Sequence, residues 1–366
     1  MANLCLSNYY GTTPLMNAEI APFSVQIHIT AECDQKCQHC YMHDSPFYPN
    51  QIGNPLKCFA WMDLVDEYCY MLKEYGCRYG FLAITGGDPL LSESFWPLIE
   101  HIDKHYGDYI KYVVMGNSYH IDSETVLRLK QNHLHAYQIS IDGVKDIHDH
   151  LRKKGSYDDA IRALKLLHEM GIHTVVNMTV SKYNASSVFS LLEFFSSCGF
   201  VDEFGFDRMI PTGKGANLQN VVFSPQEYRE FLFEVYKKEI LNEYGINVIK
   251  KEKMWSLLFY ELGLSDPLDD IKSNYVRCEA GTHTISFLAD GTMFPCRKLE
   301  ISGGKYPEHT LHDLYFNNDT TKMIQNDKFD TYCNQCEAFV FCRGCPAMKY
   351  SVTGSVHGKE PYCWKW

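Results

Sequence analysis

The chain has 366 residues, more than the ~250 to 300 at which a single hydrophobic core stops growing, so a main domain with an appendage is expected. Hydrophobic residues make up 45% and charged residues 22%, which excludes a disordered chain, and a net charge of -11 excludes nucleic acid as an expected partner. No apolar run approaches the ~18 residues that span a bilayer, and MANLCLSNYYGTTPL carries neither a basic leader nor an apolar signal core; a cytoplasmic protein with no membrane partner is expected.

Residues 1–22 read as an N-terminal extension without a periodic pattern. From 23 to 243, short β-branched runs alternate with longer segments of helical period. The runs are FSVQIHIT (23–30), GFLAIT (80–85), KYVVMG (111–116), AYQISID (136–142), HTVVNMTV (173–180) and EFGFDRMI (203–210). Between them, Met62, Val65, Tyr68, Met71, Leu72 and Tyr75 mark one helix stopped by Gly76. Ile161, Leu164, Leu167 and Met170 mark another, stopped by Gly171. Such alternation requires right-handed parallel crossovers. Cys33, Gly86, Gly87, Asp88, Asn117, Ser140, Asp142, Asn177, Thr179 and Arg208 fall at or just beyond the C-terminal ends of successive strands. In a barrel these ends converge on one mouth, whereas an open sheet would scatter them. A partial (β/α)6 barrel over 23–243 is therefore predicted, followed by a helical bridge over 244–277 (KMWSLLFYELG) and a turn-rich, cysteine-dense domain over 278–366. Metal binding would supply the folding energy that so small a core lacks.

Fifteen cysteines in a chain without an export signal suggest metal ligands or redox thiols rather than disulfides. Ten fall in two sets: Cys33, Cys37 and Cys40, then Cys278, Cys296, Cys333, Cys336, Cys342, Cys345 and Cys363. Cys5, Cys58, Cys69, Cys77 and Cys198 are isolated and read as small buried hydrophobes. AECDQKCQHCYM places its three cysteines as C-x3-C-x2-C directly after the first strand. Structural zinc takes four ligands in paired halves, which are missing here, whereas three thiolates suit a 4Fe-4S cubane with one iron open to another ligand.

C-x3-C-x2-C after the first strand resembles the signature of the radical S-adenosylmethionine superfamily. The resemblance implies that the methionyl moiety chelates the open iron and that reduction yields a 5'-deoxyadenosyl radical. Thr85-Gly86-Gly87-Asp88-Pro89 is similar to the family's GGEP motif with Asp for Glu, implying that the glycines approach the cofactor and that Asp88 accepts from its ammonium. His39 stands where the family carries an aromatic residue beside the adenine; as a plain reading it fills space in the loop. On the fourth run Gln138, Ser140 and Asp142 share one face, predicted to point inward. Ser-Ile-Asp-Gly with His148, Asp149 and Arg152 resembles a segment of peptide-modifying members in which Ser and Arg contact the cofactor. Their bland readings are a strand-end hydroxyl and a surface cation, and Asn117, Asn177 and Thr179 are equally plausible strand-end caps.

The C-terminal pattern, Cys278-x12-Gly291-x4-Cys296, then Cys333-x2-Cys336-x5-Cys342-x2-Cys345, then x17-Cys363, would by itself suit zinc or iron-sulfur. Beside the first motif it resembles the SPASM extension, except that two residues separate Cys342 from Cys345 where the family has three. The resemblance implies an outer auxiliary 4Fe-4S cluster on Cys333, Cys336, Cys342 and Cys363. It implies an inner one on Cys278, Cys296 and Cys345 alone, since Thr284 stands where sulfatase-maturing relatives carry a further cysteine; its open iron would take substrate, a water or a local side chain such as Glu279 or His283. It also implies a peptide or protein substrate, S-adenosylmethionine as cofactor, an external donor such as flavodoxin or ferredoxin, and cross-linking, C-C or thioether, of a ribosomally made peptide. Formylglycine formation in a sulfatase is the alternative, weakened because Arg297-Lys298 follows Cys296 where those enzymes carry a catalytic Asp. A non-catalytic zinc-binding adaptor is the alternative from another class.

Overall fold

The computed structural model describes residues 23–240, 245–264, 278–325 and 333–365. The extension 1–22 with Cys5, and most of the second half of the bridge, lie outside the described residues. The six predicted runs are six parallel strands: β1 (Ser24–Thr30), β2 (Gly80–Gly86), β3 (Ile110–Gly116), β4 (Ala136–Ser140), β5 (His173–Val180) and β6 (Glu203–Arg208). Three more strands were not anticipated. β7 (Asn247–Ile249) lies within the segment expected to be a helical bridge and pairs parallel to β6, before the helix Trp255–Glu261. β8 (Thr284–Phe287) and β9 (Met293–Phe294) form an antiparallel hairpin in the cysteine-dense region, and β8 pairs parallel to β1 from Ser24 beside Thr284 to Ile27 beside Phe287. The sheet order is β7-β6-β5-β4-β3-β2-β1-β8-β9, so one sheet runs from the bridge into the C-terminal region. β7 was missed because three residues are too few to set a period, and β8 because its neighbouring cysteines dominate the pattern.

Alternation along the strands separates two faces. Val25, Ile27 and Ile29, Leu82 and Ile84, Tyr137 and Ile139, and Val176 and Met178 pack outward with the helices in the main core. The helix Cys58–Glu74 buries Val65, Tyr68, Met71 and Leu72 there, and the Tyr68 hydroxyl accepts from Phe81 N (3.1 Å) and donates to Phe23 O (2.8 Å). Most buried hydroxyls find a partner, and this one ties the helix to two strands. Gly76 and Gly171 end their helices at φ +69° and +76°, where a Cβ would be strained. The inner face has a small apolar floor of Phe81, Ala83, Val113, Met115, Ala136, Val175 and Ile249, with polar side chains toward the strand ends. Cys69 and Cys77 are buried as expected, but Cys58 and Cys198 are only half-buried. Among the described residues no helix is long and apolar enough to cross a membrane.

Candidate active site

The register of β1 against β2 shifts between His28 and Thr30, and the chain leaves β1 into the loop carrying Cys33, Cys37 and Cys40. Backbone bonds hold this loop from several directions. Gly87 N donates to Thr30 O (2.9 Å), Asp88 N to Glu32 O (2.7 Å), Gln38 N to Leu151 O (2.9 Å), and Lys214 N to Cys40 O (2.9 Å). The paired glycines have a packing reason of their own. A Cβ on Gly86 would stand 2.3 Å from Thr30 O and one on Gly87 2.0 Å from Glu32 O, so only glycine lets β2 end against the loop's root.

One cavity gathers the loop and the strand ends. Cys33, Cys37, Cys40 and His39 line it with Gly86 and Gly87 of β2, Asn117 after β3, Ser140 of β4, Arg152, and Asn177 of β5. The predicted convergence on a single mouth is thus present. Asp88 and Asp142 do not line it. Asp88 is fully buried behind Gly87; its Oδ1 accepts from Leu90 N (3.3 Å), His120 Nε2 stands 3.9 Å from Oδ2, and burial raises its carboxyl to about 6. Asp142 is a buried hub: its Oδ2 receives Arg152 Nε (2.5 Å) and His39 Nε2 (3.1 Å), and its Oδ1 receives Thr179 N (2.8 Å). Burial alone would raise Asp142, but Arg152 and His39 outweigh it and hold the carboxyl far below the usual range. Arg152 and His39 thereby enter the cavity in fixed orientations.

Two of the three loop sulfurs meet side-chain N–H groups. Asn117 Nδ2 lies 3.4 Å from Cys33 Sγ, and Arg152 Nη1 lies 3.7 Å from Cys37 Sγ. Burial pushes Cys37 up to about 11 and also raises Cys33 and Cys40, so metal binding must displace their protons. N–H groups directed at the ligand sulfurs of an iron-sulfur cluster tune its reduction potential. Six of the seven C-terminal thiols fall into two electrostatic sets. Beyond the burial that raises both, Cys345 is influenced by Cys278 and Cys296, whereas Cys342 is influenced by Cys363 and Cys333. Lys349, fully buried, places Nζ 3.7 Å from Cys333 Sγ. Gly291 turns the β8–β9 hairpin at φ +87°, and its missing Cβ would stand 2.1 Å from Tyr306 O, which accounts for glycine before Cys296. Arg208, expected at the mouth, instead pairs with Glu252 (3.2 Å) and Glu360 (2.8 Å), and Glu360 also accepts from Cys345 N (2.7 Å).

Sequence reasoning overlooked Gln35, which accepts from Cys37 Sγ (3.4 Å) and Arg152 Nη1 (3.4 Å). It also overlooked Lys251, whose Nζ donates to Gln138 Oε1 (2.9 Å) and Asn177 Oδ1 (3.1 Å). A lysine two residues beyond the Asn-Val-Ile run carried that signal once β7 is known.

A parallel sheet with a three-cysteine loop at its C-terminal mouth offers three thiolates to a 4Fe-4S cluster with one iron open to another ligand. Residues 27–195 match the family profile "Radical SAM superfamily": the chain carries a radical S-adenosylmethionine domain, and S-adenosylmethionine and 4Fe-4S clusters are the cofactors of that family. It is 24% identical to an AdoMet-dependent heme synthase of Oleidesulfovibrio alaskensis, over 92% of this chain and 85% of that protein. It is 23% identical to the mycofactocin maturase MftC of Mycolicibacterium smegmatis, over 94% and 83%. Identity to a cysteine-type anaerobic sulfatase-maturating enzyme of Clostridium novyi is 25%, over 86% and 85%. The fold is shared with Streptococcus suis SuiB bound to its precursor peptide SuiA, at TM-score 0.73 and 17% identity, covering 95% of this chain and 77% of that one.

Proposed function

We propose that this chain is a peptide or protein maturase that removes hydrogen from a polypeptide residue and leaves a cross-link, C-C or thioether. The observation that carries it is the single cavity joining the Cys33/Cys37/Cys40 loop to Arg297 and Lys298, at the edge of the Cys278/Cys296/Cys345 group. Maturases of peptides and proteins among the relatives support the polypeptide as substrate.

When bound and reduced, the loop cluster supplies a 5'-deoxyadenosyl radical from S-adenosylmethionine. Cys33, Cys37 and Cys40 are its ligands in this reading, and flavodoxin or ferredoxin is the external donor. Gly86, Gly87, Asn117, Ser140, Arg152 and Asn177 bind the cofactor in the cavity. His39 and Arg152 are oriented from behind by Asp142, and Asp88 acts by bracing the Gly86-Gly87 turn. Residues 278–366 form an auxiliary-cluster domain, with Cys333, Cys336, Cys342 and Cys363 on the outer cluster and Cys278, Cys296 and Cys345 on the inner one. Formylglycine formation fits less well, because the cavity side chain after Cys296 is the cation Arg297, which cannot take a proton.

The test is anaerobic reconstitution with reductant and S-adenosylmethionine, followed by mass spectrometry on short peptides encoded beside the gene. Deoxyadenosine together with a peptide lacking two hydrogens is expected. Loss of carbon dioxide from a porphyrin, with every peptide unchanged, would overturn the maturase reading.

A further inference from the structure

Two segments distant in sequence bring three basic side chains together beside the cavity. Lys251, just beyond β7, is buried against Gln138 of β4 and Asn177 of β5. Arg297 donates from Nη1 to Gln26 Oε1 of β1 (3.1 Å), and Lys298 Nζ stands 3.9 Å from Asp207 Oδ2 of β6. Arg297 and Lys298 face two compartments at once: the cleft under the cysteine loop, and a second one that reaches Cys278, Cys296 and Cys345 and is also lined by Lys251 and Asp207.

Carboxylates stand beside the cations of this second compartment. Arg208 is matched by Glu252 and Glu360, and Lys253 is held charged against burial chiefly by Glu279 and Cys278. Asp207 then faces Lys251, Arg297 and Lys298 together. Burial would raise Asp207, but Lys298, Lys251 and Arg297 outweigh it and keep it below the usual carboxylate range. Burial lowers Lys251 to about 7; Asp207, and after it Glu203, oppose the fall and Arg297 deepens it. A buried cation depressed by burial and by a second cation is stabilised by any further anion brought beside it.

We propose that Arg297, Lys251 and Lys298 form a subsite that holds a carboxylate of the polypeptide substrate, an acidic side chain or a C-terminus, between the cysteine-loop cleft and the Cys278/Cys296/Cys345 group. The inference rests on the maturase reading and adds the chemistry by which the substrate is anchored. A guanidinium and ammonium groups on a carboxylate make charge-assisted bonds, about twice as strong as neutral ones, and they fix the carbon beside the carboxylate in orientation as well as place. A tetrapyrrole propionate carries the same group, so the source must be tested along with the site.

The experiment uses the anaerobically reconstituted full chain, with benzoate as probe and benzamide as its neutral isostere, followed by calorimetry or ligand-observed NMR. Benzoate should bind and benzamide should not. Arg297→Gln and Lys251→Gln should each weaken benzoate about tenfold or more, and Asp207→Asn should tighten it at least about threefold. The opposite direction of the Asp207 effect excludes misfolding as its cause. Displacement of benzoate by a Glu-containing pentapeptide supports the polypeptide source, whereas displacement by coproporphyrin III alone overturns it. Equal binding of benzoate and benzamide, or no change in Asp207→Asn, overturns the subsite. Deoxyadenosine formed by the wild-type preparation is measured alongside, so that loss of the subsite is distinguishable from loss of the radical reading.

Discussion

The two cysteine regions solve one electrostatic problem in different ways. Both place cations beside thiols: Arg152 by Cys37 at the front, Lys349 by Cys333 and Arg208 near Cys345 at the back. At the front the supporting carboxylate, Asp142, belongs to the barrel, and the sulfurs open onto a cavity. At the back, Glu360 belongs to the cysteine-dense region itself, accepts from Cys345 N, and reaches Arg208 of β6, so this region is fastened to the sheet through a buried ion network. The front loop is thus a replaceable lining on a finished scaffold, and the back is part of the scaffold. A side chain can be removed from a lining without unfolding the wall behind it.

The largest effect expected from this contrast is at the front. The Cys33/Cys37/Cys40 triple alanine variant should lose deoxyadenosine formation down to background and about four of about twelve irons, while retaining the wild-type unfolding midpoint. Cys278→Ala with Cys345→Ala should lose iron and stability together. Retained deoxyadenosine in the first variant, or an unchanged midpoint in the second, would break the comparison.

Next in size, Glu360→Ala leaves Arg208 buried with Glu252 and removes the acceptor for Cys345 N, which should cost about 3 to 5 kcal/mol in denaturant unfolding. The front counterpart, Asp142→Asn, should show itself mainly as weaker S-adenosylmethionine binding, because Arg152 and His39 lose their common anchor. If Asp142→Asn proves the more destabilising of the two, the front is as structural as the back.

The smallest effect is the pH dependence contributed by His148 at the front. His148 accepts Asp142 N on Nδ1 (3.0 Å) and is lowered from 6.5 to about 4, by burial first and then by Arg152, against the opposing pull of Asp142 and Asp149. The unfolded chain takes up this proton below 6.5, and the folded chain only near 4. Stability should therefore fall as pH drops from about 6.5 to 4, by on the order of 3 kcal/mol, and then level off. His148→Gln should flatten that part of the stability curve, and a curve unchanged by the substitution would assign the loss to other groups.

The sequence by itself determined the six βα units, the loop C-x3-C-x2-C and the convergence of polar strand ends, because these follow from periods and spacings local to a few residues. It also carried the glycines, although the clash of a missing Cβ with Thr30 O and Glu32 O gives a packing reason the spacing did not contain. Only the tertiary structure decided the rest. It withdrew Asp88 and Asp142 from the cavity wall into supporting positions, turned Arg208 from the mouth toward Glu360, and carried β8 onto the edge of β1. It also brought Lys251 beside Gln138 and Asn177, residues 113 and 74 positions away in the chain. A side chain's face on a strand is fixed by its own backbone, but its partner is fixed by which distant element arrives there, and no local pattern encodes that arrival.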